Sequence, residues 1–213
     1  MAANCTALGI STLALLVERP MHPYEMYQLL IQRRQDRVVK VRPGSLYHTV
    51  HWLEDHGMVR PASTEREGNR PERTIYEITA EGRAALTRRV TGMLATPVNE
   101  FPEFPLAIGE AHNLPHDTVI ALLGQRLALL EADLEEMENG IRDAESREVE
   151  PAYLLSVSYS RAMHAAELRW LRQLLSDLGT NVIPWPENGQ SQDLTTKRRT
   201  NRRQTNKELH AHA

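Results

Sequence analysis

At 213 residues, 41% of them hydrophobic and 25% charged, the chain is long enough for one or two domains with a substantial core. Its single cysteine, Cys5, excludes an internal disulfide framework and fits a reducing cytosol. The formal charge of −3 is uneven, with 13 Lys/Arg against 10 Asp/Glu in residues 1–90, 6 against 16 in 91–190 and 6 against 2 in 191–213. An acidic total argues against indiscriminate wrapping of a polyanion, yet it leaves room for specific binding through a local basic face.

Thr6 to Val17 reads as a first helix, with Leu8, Leu13, Leu16 and Val17 at its apolar positions and Pro20 beyond its end. The apolar run Leu8 to Val17 follows no basic region and is far shorter than a membrane span. It is therefore expected to be a buried helix and the protein soluble, cytoplasmic and without a membrane partner. His22 to Arg34 reads as a second helix, with Pro23 tolerated in its first turn and Tyr24, Tyr27, Leu30 and Ile31 grouped on one face. Gln32 to Val39 is a polar, basic connection that could reach a phosphate backbone.

The third helix is the most informative. Pro43 supplies the fixed φ of a first helical position, and Gly57 suits a left-handed cap at the end. At 100° per residue Leu46, Val50 and Leu53 form one buried stripe, while Gly44, His48, His51 and Asp55 point away, with Ser45 and Tyr47 on the flanks. Small and hydrogen-bonding residues at a helix start, preceded by Lys40 and Arg42, can enter a DNA major groove. An ordinary amphipathic surface helix would share the pattern. Met58 to Ala62 and Thr74 to Thr79 then read as strands, the second alternating at period two. Ser63 to Arg73 between them is too long for a tight turn and carries Arg66, Arg70 and Arg73, with Gly68-Asn69 at its tip. An arginine-rich hairpin beside a groove-reading helix is the layout of a winged helix-turn-helix.

Over residues 7 to 90 the pieces Leu13-Ala-Leu-Leu, His22-Pro-Tyr-Glu25, Pro43-Gly-Ser-Leu-Tyr47, Leu53-Glu-Asp-His-Gly57 and Gly68-Asn-Arg-Pro-Glu-Arg-Thr-Ile-Tyr-Glu-Ile-Thr-Ala-Glu-Gly82 resemble the PadR family of bacterial transcriptional regulators. They are specific as an ordered set. Pro23 departs from the pattern, standing where a glycine is usual. The resemblance implies that Tyr47, Arg70 and Arg73 lie near the DNA backbone, that many such proteins are repressors, and that a small, often aromatic, effector releases them.

After the wing, Thr79 caps a fourth helix carrying Leu86, Val90 and Leu94 and ending before Pro97. The prolines and phenylalanines of Asn99 to Pro105 place a boundary near residues 95–105. Leu106 to Asn113 reads as a short helix, and Pro115 opens a long one. Ile120, Leu123, Leu127, Leu130, Leu134, Met137 and Ile141 follow alternating steps of 3 and 4, as in a coiled coil. Glu131, Asp133, Glu135, Glu136 and Glu138 form its solvated side, and Gly140 weakens its end. Pro151 starts the last helix, whose seam Leu154, Val157, Arg161, His164, Leu168, Leu171, Leu175 and Leu178 turns polar at Arg161 and His164. Two such helices make a hairpin that still exposes apolar surface, so a homodimer is expected. Glu103-Phe-Pro-Leu, Leu123-Gly-Gln-Arg-Leu127 and Leu168-Arg-Trp-Leu171 resemble, more loosely, the dimerisation region of PadR-like proteins.

The expected architecture is mainly α, with an N-terminal winged helix-turn-helix DNA-binding domain at 1–95 and a coiled-coil-like helical dimerisation domain at 100–184. The polar residues 185–213, including Thr196 to Gln204, are expected to form a disordered basic tail.

DNA contacts divide into those that position the protein and those that specify sequence. Lys40, Arg42, Tyr47, Arg70, Arg73, Arg66 and Tyr24 are candidates for the backbone; Ser45, His48, His51 and Thr49 are candidates for base edges. The competing reading makes Tyr47 a half-buried packing residue and His48 and His51 plain surface histidines. Double-stranded DNA and a second copy of the chain are the expected partners. For an effector, Arg161, Met163, His164 and Trp170 are the candidate lining; alternatively Trp170 is a dimer-core aromatic and Arg161 pairs with a carboxylate.

Nine histidines raise the possibility of a metal sensor, but His48 and His51, and His210 and His212, stand without a Cys cluster or a well-spaced carboxylate. No metal or other cofactor is expected. No nucleophile elbow, phosphate loop or HExxH signature is present, so an enzyme is not expected. A helical interaction module without DNA binding would account for residues 115–180 and leave the wing arginines without a purpose.

Overall fold

The computed structural model describes residues 5–65 and 73–186. Two compact units divide the chain, Met1–Glu100 and Phe101–Ala213. The fold is mainly helical, with one two-stranded antiparallel sheet among the described residues.

The first unit opens with α1 (Ala7–Glu18), whose N-cap Thr6 accepts a hydrogen bond from the Gly9 N–H at 3.1 Å. Leu8, Leu13, Leu15 and Leu16 are buried, whereas Val17 is 44% exposed; the core contacts of α1 therefore stop one residue before the apolar run does. In α2 (Pro23–Gln32) the buried residues are Pro23, Met26 and Leu30. This corrects the expected face: Tyr24 is 49% and Ile31 36% exposed, and Tyr27 packs on the core only partly. A tyrosine keeps its polar tip in water when a thioether can fill the interior instead.

α3 (Pro43–Asp55) buries Leu46, Val50 and Leu53 completely, the expected stripe. Gly57, at φ +67°, turns the chain out of the helix. β1 (Val59–Glu65) and β2 (Arg73–Ile78) pair antiparallel, with a bulge between Pro61 and Ser63 and a cross-strand Arg60–Glu77 ion pair at 2.7 Å. On its other edge β2 receives Met21, whose N–H and C=O both bond to Tyr76 at 3.0 Å. This single bridge ties the α1–α2 connection into the wing.

α4 (Ala80–Ala95) is pinned at its start. Thr79 Oγ1 donates to the Gly57 carbonyl at 2.7 Å and accepts from the Gly82 N–H at 3.1 Å, while the Thr79 N–H reaches the Met58 carbonyl at 3.1 Å. A Cβ at Gly82 would lie 2.1 Å from that Met58 oxygen, so only glycine allows the crossing. Of the expected apolar positions, Leu86 packs partly on the core, but Val90 and Leu94 are 38% and 84% exposed. The buried contacts of α4 are confined to Gly82 and Ala85 in its first half.

The second unit contains α5 (Glu103–Gly109), α6 (His116–Ser146) and α7 (Leu155–Gly179). α6 runs through Gly140, six residues short of its end. α6 and α7 pack as a hairpin, with Val119, Leu123, Met137, Ile141 and Ala144 of one and Leu168, Leu171 and Leu178 of the other buried. Val119 is buried at the start of the seam and Ile120 packs partly against the same cluster. Arg126–Glu167 and Arg172–Glu131 bridge the pair, each with a contact at 2.7 Å. No helix among the described residues is long and apolar enough to cross a membrane.

Candidate nucleic-acid interface

The outward side of α3 carries Ser45, Tyr47, His48 and His51, all exposed, with exposed Lys40 and Arg42 just before it. Arg42 holds the N-cap position and makes no side-chain cap bond. The partial positive charge of the helix start therefore faces outward beside two cationic side chains. Thr49 is only partly exposed, and its hydroxyl donates to the Ser45 carbonyl at 2.8 Å. That bond ties it to its own helix rather than to a groove.

Around α3 stand three further groups. Tyr24, 49% exposed, marks the first turn of α2. The His22 ring meets the Tyr47 ring in a T-shaped contact, centroids 6.1 Å apart at 72°. Arg73, exposed at the start of β2, is near enough that its charge helps hold the His22 pKa below the ordinary histidine value, after burial and against the opposing pull of Glu25. The α2 start, the α3 face and the wing base thus converge on one patch. Arg66 and Arg70 lie outside the described residues, as does the basic tail beyond residue 186.

His22 was not anticipated as part of this patch. Its only trace in the chain is its place in His22-Pro-Tyr-Glu25, and a non-local ring contact leaves no mark on periodicity. Trp52 and His56, four residues apart at the end of α3, stack with ring centroids 4.0 Å apart. Tyr76 behind the wing is buried, and burial raises its phenol pKa, with the hydrogen-bonded Glu54 adding to the shift.

In the second unit α7 separates the effector candidates. Met163 and Trp170 are seven residues apart on one face and are 51% and 45% exposed; Arg161 and His164 occupy the other side of the helix. His164 Nδ1 lies 2.9 Å from the Ser160 carbonyl, and no ion pair of Arg161 occurs among the described residues. Trp170 meets Phe104 edge-on at 6.1 Å, and the Arg126 guanidinium stands 3.6 Å above the Phe104 ring. The three pieces Glu103–Leu106, Leu123–Leu127 and Leu168–Leu171 therefore meet at one cation–aromatic cluster. Among the described residues no group of three His, Cys, Asp or Glu side chains could hold a metal ion.

Residues 12–88 match the family model of the PadR-like transcriptional regulators. No curated protein matches the sequence at a significant level. Among solved structures, Bacillus subtilis PadR in complex with operator DNA is 18% identical with a TM-score of 0.70, the match covering 81% of this chain and 99% of that one. Bacillus subtilis PadR in complex with p-coumaric acid is 16% identical with a TM-score of 0.68, over 82% of this chain and 99% of that one. A PadR-like regulator from Bacillus cereus is 18% identical with a TM-score of 0.61, over 81% and 99%. At these identities the structural likeness is one of fold, and it extends through both units. The family match thus lies on the helices and wing just described, and over residues 12–88 the chain is similar to the PadR-like transcriptional regulators.

Proposed function

We propose that the protein is a homodimeric repressor that reads an inverted-repeat operator and is released by a small aromatic effector. Residues 1–95 serve as the DNA-binding domain and 100–184 as the dimerisation domain. The observation that carries the DNA reading is the division of α3, with Leu46, Val50 and Leu53 at 0% exposure while Ser45, Tyr47, His48 and His51 face solvent. Lys40, Arg42, Tyr24, Tyr47 and Arg73 hold phosphates, joined by Arg66 and Arg70 at the wing tip. Ser45, His48 and His51 meet base edges. None of these three forms the bidentate Arg–guanine or Asn–adenine pair, so part of the sequence choice falls to DNA shape and the wing arginines.

The dimer reading rests on apolar surface that the α6–α7 hairpin leaves uncovered, including Leu122 at 48%, Leu129 at 70% and Met163 at 51% exposure. The effector reading is supported by the relative bound to p-coumaric acid and by the Met163–Trp170 face beside Phe104. Arg161 and His164 are in phase with Leu168 and Leu171, on the α6-facing side of α7, and so stand apart from that face.

Footprinting on the DNA upstream of its own gene tests this. Protection of two half-sites about one helical turn apart, about 34 Å, is expected, and p-coumaric acid or a related aromatic acid should weaken it. With about four phosphates neutralised per subunit, log K should fall with log salt at a slope of about −7. A slope near −1 would overturn the assigned basic face. His48→Ala should change the relative affinities of point-mutated operators; unchanged ratios would remove His48 from the base-reading set.

A further inference from the structure

We infer that His22 is itself a DNA-backbone contact: its Nε2–H, beside the Tyr47 hydroxyl and the Arg73 guanidinium, donates a hydrogen bond to a phosphate oxygen. This rests on reading α3 and the wing as the DNA interface, and it adds a member that neither the sequence pattern nor the family resemblance supplied.

The argument starts at the N-cap of α2. His22 Nδ1 accepts a hydrogen bond from the Tyr24 N–H at 3.1 Å. An accepting nitrogen carries no proton, so the neutral ring must hold its proton on Nε2. Burial, then Arg73, lowers the His22 pKa, which keeps the ring in this neutral form near pH 7. The capping bond therefore fixes both the tautomer and the orientation of the ring.

The far edge of that ring has no acceptor among the described residues. The nearby carboxylate, Glu25, is engaged by Arg19 in an ion pair. Two donor-bearing side chains stand near the ring instead: Tyr47, whose ring meets it edge-on, and Arg73, whose charge is felt at His22. Tyr47 is 38% exposed and Arg73 is exposed, so the cluster opens to solvent on the α3 side. An N–H, an O–H and a guanidinium brought together without a protein acceptor are the complement of a phosphate, which offers acceptor oxygens and negative charge. A capping role alone explains Nδ1 and leaves Nε2 without a use.

The test compares His22→Asn with His22→Asp in the full-length protein. Both side chains cap a helix about as well as each other and have nearly the same shape, so they differ in charge alone. The probes are a duplex selected from a random-sequence pool and an unrelated duplex of equal length. His22→Asn should lose about 3- to 10-fold in affinity for both, as expected for one lost hydrogen bond that carries no sequence information. His22→Asp should lose about tenfold more, with both variants melting within about 2 °C of each other. A single methylphosphonate linkage that weakens the wild type and leaves His22→Asn indifferent would locate the phosphate.

Wild-type affinity in both variants, equal losses in both, or a loss confined to particular base substitutions would each overturn the inference. So would an Asn variant that binds as the wild type does. A wild-type chain that bound neither duplex would instead overturn the DNA reading beneath it.

Discussion

The two units bury their apolar residues to very different degrees. In the first, Leu13, Met21, Met26, Leu46, Val50 and Leu53 are all at 0% exposure, drawn from three helices and the connection that bridges to the wing. In the second, among the described residues, only Leu171 reaches that value, while Leu129, Leu155 and Tyr159 stand at about 70%. A four-helix unit closed by a hairpin surrounds its own core from several sides. A two-helix hairpin can shield only the seam between its members. The first unit therefore encloses a core of its own, with its most exposed helical apolar residues at the end of α4, where Met93 and Leu94 are 52% and 84% exposed. The second has the character of half an interface.

The largest effect that could sharpen this contrast comes from equal truncations on the two sides. Leu53→Ala should cost about 2–5 kcal/mol in urea unfolding of the first unit. Leu129→Ala should change the stability of its own fold by no more than about 0.5 kcal/mol. Equal losses at the two positions, measured at concentrations where the chain is monomeric, would show that Leu129 is covered within its own unit and would break the comparison. Next, Gly82→Ala should destabilise by about 1–3 kcal/mol or more, because its methyl would drive the first turn of α4 off the Met58 carbonyl. Thr79→Ala, which removes the cap and the bond to Gly57, should cost about 1 kcal/mol in the same measurement.

The smallest expected effect depends on pH. The Glu18 carboxyl is held below its ordinary value of about 4.5, first by its hydrogen bond with Arg33 and further by the charges of Arg33 and Arg19. The folded chain then binds that proton less tightly than the unfolded one. The stabilisation is complete above the ordinary value and is lost as pH falls through the lowered one. Both partners are close to half exposed, so the pair contributes at most about 1 kcal/mol. Glu18→Gln should be slightly less stable than the wild type at pH 7 and indistinguishable from it in strong acid. A constant difference across that range would mean that Glu18 acts through packing.

Local patterns were readable where one helix face meets one core. The Leu46–Val50–Leu53 stripe, the Thr79 cap, Gly57 and most of the α6 and α7 seams could be seen in the chain because each depends on residues within a few turns. The burying face of α2 was misjudged, since hydrophobicity ranks Tyr24 and Ile31 with Met26 and only tertiary packing chooses among them. The outer half of α4 was misjudged similarly, its apolar residues extending past the contacts of the unit. The Met21–Tyr76 bridge and the His22–Tyr47 contact join residues far apart in sequence through backbone and ring edges. Neither leaves a periodic signal. For the interface, the α3 residues were legible by phase, whereas the convergence of α2, α3 and the wing base required coordinates.

The crossing at Gly82 has a mechanical consequence. Thr79 and Met58 fasten the exit of α3, the root of β1 and the entry of α4 within a single turn of chain, with no spacer to absorb a twist. A torque applied to the outer end of α4 would thus carry α3 and the β1–β2 hairpin as one body, turning them without loosening either. Tuning such a protein would call for changing the angle of a lever, and softening its tip would gain nothing.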